Sequence, residues 1–197
     1  MISRIVLIVT TVVAAALALP ASADTTIKSP DGTVQITVPN GWREGKPFGP
    51  AIQVQAVSAR GAIVFVRVVS KEDYKDLKSF ANIGVERLKR NMPDAAPKME
   101  DIQLNNKPAI RFSVEGTQAN GQRRGFIVTF FETDANYVDV TALANVSVFK
   151  AEEETLAGLA SQVKILASPG AAAPAAAPTT APAPAPVAKP PAVRPPR

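Results

Sequence analysis

The chain contains no cysteine and no histidine among its 197 residues. Zinc-finger sites, thiol nucleophiles and Ser-His-Asp triads are therefore excluded, because each of them needs one of these two residue types. The lack of histidine also removes the usual general base near neutral pH. We expect no catalytic residue, no metal site and no cofactor, with the carboxylate and serine alternatives considered below.

Net charge is nearly absent from the middle of the chain. The formal net charge is +5, from 22 Lys and Arg against 17 Asp and Glu. Arg4, Lys189, Arg194 and Arg197 lie outside residues 24–166, which leaves 18 basic and 17 acidic residues in that range. Because a nucleic-acid-binding domain needs a basic face, we predict that the chain has no nucleic-acid partner.

The first 23 residues have the pattern of a secretory signal peptide. Arg4 precedes an apolar run over 5–19, Pro20 ends this run, and Ala21 and Ala23 supply the small residues that a leader peptidase requires. An uncleaved membrane anchor is the alternative, but the run is shorter than the span of about 20 residues that a membrane helix needs. We expect cleavage after Ala23. The mature protein is then periplasmic or secreted in a bacterium, and is not an integral membrane protein.

The last 31 residues, 167–197, are dominated by twelve alanines and ten prolines. Proline removes amide donors and fixes φ, so this composition predicts an extended, disordered tail. Its charges are Lys189, Arg194 and Arg197, all near the tip. Two interpretations stay open. The tail makes a weak contact with anionic membrane or peptidoglycan, or it is only a spacer.

Residues 24–166 are predicted to form a single α+β domain. Tight turns such as Ala119-Asn120-Gly121 join neighbouring strands, which must then be antiparallel. The expected architecture is one twisted, mostly antiparallel sheet of six to seven strands with helices packed on it. Alternating apolar residues predict strands over 33–38, 52–56, 110–114, 126–132 and 137–144, an apolar run predicts a central strand covered on both faces over 62–69, and three-and-four spacing predicts helices over 72–91 and 148–163.

The segment from Thr33 to Trp42, Thr-Val-Gln-Ile-Thr-Val-Pro-Asn-Gly-Trp, resembles the start of a Mog1/PsbP-like domain. Domains of that family open with a strand running into a Pro-x-Gly-Trp turn. They then carry a mid-chain helix, a long meander and a closing helix with a final short strand, here residues 164–166. The resemblance implies an α/β/α sandwich. It also implies a non-catalytic binding or assembly module, with a protein partner or an envelope surface as its target.

Trp42, Arg123 and Arg124 are candidates for a binding surface. Trp42 is the only tryptophan and precedes a loop-rich segment over 43–50, where an aromatic side chain can contact a ligand. The alternative is that Trp42 plugs the end of the core. Arg123 and Arg124 follow the Asn-Gly turn and could take a phosphate or an acidic partner, or simply form a solvated hairpin end.

A carboxylate- or serine-dependent envelope hydrolase is the alternative function. Ser147 and Lys150 have the S-x-x-K spacing of penicillin-recognising enzymes, but the chain has no Ser-Asp-Asn or Lys-Thr-Gly. We interpret Ser147 instead as the N-cap of the last helix, with the glutamates 152–154 in its first turn.

Glu132, Asp134 and Asp139 offer carboxylate oxygens that a Ca²⁺ ion could use. Their spacing matches no calcium loop. We therefore interpret them as solvated acids around a hairpin turn.

Overall fold

A computed structural model of the chain describes residues 24–166, and the predicted signal peptide and tail lie outside this range. Ten strands and two α-helices are found in the described range. The strands are β1 (Thr25–Lys28), β2 (Val34–Val38), β3 (Trp42–Glu44), β4 (Ile52–Ser58), β5 (Ile63–Ser70), β6 (Glu100–Leu104), β7 (Lys107–Thr117), β8 (Arg123–Glu132), β9 (Asn136–Asn145) and β10 (Val163–Ile165), and the helices are α1 (Leu77–Asn91) and α2 (Val146–Gly158).

The predicted α+β class and antiparallel sheet are confirmed. Seven strands form one sheet in the order β3-β4-β5-β9-β8-β7-β6, and every neighbouring pair is antiparallel. The strand predicted over 33–38 is present as β2. It belongs to a separate three-stranded sheet, β1-β2-β10, in which the final short strand pairs Val163 with Ile36.

The pleat of the large sheet divides its side chains between two cores. On one face, alternate residues such as Val64, Val66 and Val140 pack with α2 and the small sheet. On the other face, Phe112 and Phe130 pack with Phe80 of α1. The helices therefore lie on opposite faces of the large sheet.

Both helices begin at residues other than those predicted. α1 begins at Leu77 because the Asp76 side chain accepts a hydrogen bond from the Ser79 N–H at 2.7 Å; the predicted start around residue 72 is a separate 3₁₀ turn, Lys71–Asp73. α2 begins directly after β9, at Val146, so Ser147 already lies inside the helix and is not its N-cap. For the same reason the glutamates 152–154 do not lie in the first turn.

The hairpin turns use residue types that tolerate positive φ angles. Asn105 and Asn106 join β6 to β7 with positive φ angles of 50° and 63°, the conformation that a two-residue hairpin turn of type I′ requires. Gly121 has a φ of 79° in the turn between β7 and β8. Within residues 24–166, no helix is long and apolar enough to cross a membrane.

Candidate ligand-binding groove

Helix α1 is too narrow to cover its face of the large sheet. Seven strands about 4.8 Å apart span roughly 29 Å, whereas a helix is about 10–12 Å wide. α1 packs on β7 and β8. The neighbouring strands β9 and β5 consequently stay partly open on this face.

Two glycines fix the path of α1 along β8 and β7. A Cβ atom on Gly84 would lie only 2.5 Å from Cζ of Phe130, so the helix backbone packs directly on that ring. At the other end of the helix, a Cβ on Gly116 of β7 would lie 3.2 Å from Cβ of Met92. The helix therefore lies over β8 and β7, and its second half forms one wall of a groove.

The groove lies between α1 and the segment 48–52, with β5 and β9 as its floor. Its volume is about 550 Å³ and it opens to solvent. Phe48 forms the outer wall, where its ring packs edge-on against Phe65 with the ring centroids 5.0 Å apart. The main floor and helix residues are Ile63, Phe65, Leu143, Gly84, Leu88 and Asn91.

Strand β5 is central in the sheet, as predicted, but it is fully buried on one face and only partly covered on the groove face, so the prediction that both faces are covered was wrong for the groove face. Val64 and Val66 are fully buried, but Ile63, Phe65 and Arg67 are half-buried on the groove side. An apolar run shows that a strand has apolar surroundings on both sides. It does not show whether one of those sides is a groove.

The strand register arranges the groove residues in rows across the sheet. Ile63, Leu143 and Phe126 form one row, and Phe65, Thr141 and Val128 form the next. Arg67, Asp139 and Phe130 form the third row, whereas Arg124 lies one row before the first. Since successive rows are about 6.7 Å apart, the groove has two polar ends roughly 20 Å apart and an apolar middle.

A buried ion pair forms one polar end. Arg67 Nη2 lies 2.5 Å from Asp139 Oδ2, and Thr141 Oγ1 donates to Asp139 Oδ1 at 2.7 Å. Their side chains are only 12% and 6% exposed. Burial raises the pKa of the Asp139 carboxyl above its ordinary value, although Arg67 and Thr141 favour the ionised form. The Nε of Arg67 is buried and has no hydrogen-bond partner among residues 24–166.

The other polar end carries positive charge that no carboxylate neutralises. Arg124 Nη2 donates to Gln122 Oε1 at 2.9 Å, while its Nε is buried without a partner in the described range. Arg87 lines the groove from the wall that α1 forms, one turn after Gly84 and so between the two ends. Neither arginine forms an ion pair with any residue of 24–166. This end can therefore attract an anion.

The chain matches no family model and no curated protein. Its structure is similar to cyanobacterial PsbP (CyanoP) from Synechocystis sp. PCC 6803, with 10% identity and a TM-score of 0.54 over 75% of this chain and 95% of that one. It is also similar to LpqN of Mycobacterium tuberculosis, a protein involved in cell envelope biogenesis. That comparison gives 13% identity and a TM-score of 0.52 over 74% of this chain and 91% of LpqN. The fold is Mog1/PsbP-like. The resemblance stated from the sequence is thereby confirmed at the level of fold.

Of the three candidate surface residues, only Arg124 lies in the groove of this PsbP-like fold. Arg123 precedes it on β8, points to the opposite face, and lies 3.4 Å from Glu115 Oε2 with its side chain 66% exposed. Trp42 is only 7% exposed and belongs to the core on the α2 face. Trp42 is therefore not a surface residue, and its position agrees with the alternative that it fills the end of the core.

Ser147 and Lys150, the residues of the alternative hydrolase, are both exposed and do not line the groove. Ser147 is exposed on α2, and Lys150 Nζ lies 3.5 Å from Glu115 Oε1. Arg60 Nη1 lies 2.9 Å from Glu152 Oε1. Glu152 therefore pairs with Arg60 and does not interact with the N-terminus of α2.

The carboxylates considered for Ca²⁺ do not form a cluster. Glu132 lies 3.0 Å from Lys71 Nζ, whereas Asp139 is buried in β9 rather than solvated at a turn. No group of three potential metal ligands occurs within the described residues.

Sequence reasoning missed Arg67, Arg87, Phe48 and the role of Asp139. The available signal was a charged residue inside each of two apolar strands, Val-Arg-Val in β5 and Val-Asp-Val in β9. Charges at such positions are rarely buried unless they are paired. The pairing of the two strands, which places these charges opposite each other, was not visible in the sequence.

Proposed function

We propose that the protein is a non-catalytic, exported binding module whose ligand occupies the groove between α1 and the segment 48–52. The observation that carries the proposal is an open groove of about 550 Å³ with an apolar floor and two lining arginines, Arg87 and Arg124, that form no ion pair within residues 24–166. Small-molecule sites typically have volumes of about 300–1,000 Å³, mostly apolar linings and a few polar groups that orient the ligand.

Export is supported by the signal-peptide pattern of residues 1–23 and by the fold. LpqN, which has the same fold, is involved in cell envelope biogenesis. On this proposal the protein works in the periplasm or outside the cell. Intact-mass measurement of the protein from a periplasmic fraction tests this location, because cleavage after Ala23 predicts a chain beginning at Asp24.

The absence of catalysis is proposed from the ionisable groups that line the groove, which are Arg67, Arg87, Arg124 and Asp139. Arginine stays protonated at any physiological pH and cannot act as a base. Asp139 is already bound by Arg67 and Thr141, so its oxygens are occupied. No groove side chain is placed as a free general base.

The binding proposal is tested with mature protein that has been incubated with small-molecule extract of a bacterial envelope. Native mass spectrometry then detects bound molecules. Ala51→Trp places a large ring at an exposed residue of the groove, whereas Ala59→Trp places the same ring at an exposed turn outside it. We expect a retained ligand with the wild type and Ala59→Trp but not with Ala51→Trp. Equal retention by all three proteins would refute the groove as the site.

A screen with esters, amides and glycosides tests the non-catalytic part of the proposal. We expect no turnover by the purified mature protein. Reproducible turnover that is lost in Ser147→Ala would establish the hydrolase alternative instead.

A further inference from the structure

We propose that the ligand of this groove is an anionic amphiphile, with its carboxylate or phosphate at Arg124 and a single acyl chain along the apolar floor toward Arg67. The inference rests on the proposed function, because it names the ligand of the same site. It also assigns a direction to the bound molecule.

The direction follows from the distribution of charge. Arg67 is neutralised by Asp139 at 2.5 Å, so its end of the groove has little net attraction for an anion. Arg124 and Arg87 have no carboxylate partner among the described residues. Arg67 and Arg124 each keep a buried Nε–H without an acceptor there, so the two ends differ in net charge. A guanidinium group binds carboxylate or phosphate oxygens through paired N–H donors. The anionic group therefore fits the Arg124 end.

The size of the apolar floor suits one acyl chain. Three row spacings separate Arg124 from Arg67, a distance of about 20 Å along the strands. One leaflet of a bilayer contributes about 15 Å of hydrocarbon, which is the length of one acyl chain. The groove thus holds a single chain together with its head group.

The chemistry of the floor disfavours polar ligands such as sugars. Between the two polar ends the side chains are Ile63, Phe65, Leu143, Phe126 and Thr141. The only hydroxyl among them, that of Thr141, already donates to Asp139. Ligand hydroxyl groups placed here would lose their hydrogen bonds to water without replacement, which is unfavourable.

Phe48 supplies apolar surface that a bound chain would cover. The residue is 64% exposed, an unusual degree for a phenylalanine that packs on Phe65 in the groove. An acyl chain lying on Phe65 would contact the Phe48 ring from the side. This contact depends on chain length and not on the head group.

The test is calorimetric titration of the mature protein with amphiphiles of one chain length below their micelle-forming concentrations. The probes are dodecanoate, dodecyl phosphate, neutral dodecyl maltoside and cationic dodecyltrimethylammonium, together with butanoate and inorganic phosphate as chain-free anions. We expect dodecanoate or dodecyl phosphate to bind at least tenfold more tightly than the neutral and cationic probes. The stronger of the two identifies a carboxylate or a phosphate as the natural head group.

Arg124→Gln is expected to weaken binding of the preferred anion about tenfold, whereas Arg123→Gln, its neighbour on the opposite face, leaves it unchanged. Because Arg124 is partly buried, Arg87→Gln on the exposed side of α1 provides a second variant, which should weaken binding severalfold without affecting folding. Phe48→Ala should weaken all twelve-carbon probes alike.

Equal binding of neutral, cationic and anionic probes, or equal effects of Arg124→Gln and Arg123→Gln, would overturn the inference. If the ligand retained from envelope extract is still lost in Ala51→Trp, the groove remains a binding site, but for a ligand of another class. Failure of every probe also overturns the inference. In that case the envelope-extract experiment decides separately whether the groove binds anything.

Discussion

Arg67 and Asp139 form the one ion pair in residues 24–166 in which both side chains are almost completely buried. Removing one partner of such a pair leaves an uncompensated charge and costs about 3–5 kcal/mol. We expect Arg67→Met to lower the free energy of unfolding by about 3 kcal/mol, and Arg67→Met combined with Asp139→Asn to restore part of that loss. Urea denaturation of the single and double variants measures this coupling. Additive effects would show that the pair does not act as a unit.

The same pair makes the free energy of unfolding depend on pH, and the burial of Asp139 sets the direction of this dependence. The pKa of Asp139 is raised in the folded chain. A carboxyl with a raised pKa stabilises the fold fully below its unfolded pKa, and this contribution is lost as the pH rises through the folded pKa. Arg67→Met removes the attraction that opposes burial, so the loss should move to higher pH. Free energies of unfolding from about pH 3 to about pH 8 test the shift.

The control for this pH series is the double variant with Asp139→Asn, which should lack the dependence. The exposed carboxyls Asp31, Asp76 and Asp94 have pKa values lowered by hydrogen bonds, mainly from Ser29, Ser79 and Thr117, and their contributions are lost as the pH falls. These contributions are the same in all variants, so they cancel when the free energies of unfolding of two variants are subtracted. If the free energy of unfolding of Arg67→Met varies with pH as that of the wild type does, the role given to burial is wrong.

At the scale of the secondary-structure elements, the close packing of α1 on β8 depends on Gly84. Alanine is normally the better helix former by about 1 kcal/mol. A Cβ on Gly84, however, would lie 2.5 Å from Cζ of the fully buried Phe130, so we expect Gly84→Ala to destabilise the protein by about 1–3 kcal/mol. Gly158, the last residue of α2, has helical angles and no atom within 4 Å of its Cβ position, so Gly158→Ala should stabilise by about 0.4–1 kcal/mol. Thermal melts of both variants test this contrast, and stabilisation by Gly84→Ala would contradict the packing of α1.

The sequence predicted the elements much better than the groove. Alternation and turn residues are local signals, and they located β2, β7, β8 and β9 as well as the turn at Asn120 and Gly121. β3 was missed because it has only three residues. The open face of β5 depends on the width of one helix relative to a seven-stranded sheet, and on which strands that helix selects. Neither is a property of any local stretch of sequence.

At the scale of the whole molecule, the last contact of the described residues with β2 and its neighbours is made by Leu166. β10 ends at Ile165, and the Leu166 N–H donates to the Thr33 carbonyl at 2.7 Å. We expect deletion of residues 167–197 to leave the melting temperature unchanged, because their composition offers little apolar surface for packing. A melting comparison of the mature and truncated proteins tests this expectation. A decrease of several degrees would mean that the segment packs on the domain.

The positive charges of residues 167–197 lead to the last prediction, that this segment tethers the protein weakly to anionic surfaces of the envelope. Residues 24–166 are nearly neutral, whereas Lys189, Arg194 and Arg197 lie within nine residues of one another at the end of the chain. Each basic residue near an anionic membrane contributes about 1 kcal/mol, so three give a reversible, salt-sensitive contact. We expect the mature protein to sediment with anionic vesicles or isolated cell wall at low salt and to be released at high salt. A variant with all three residues changed to Gln keeps the length of the segment and should stay in solution, as should the truncated protein. If the mature protein stays in solution equally well at low salt, the segment acts as a spacer and the groove must meet its ligand without a tether.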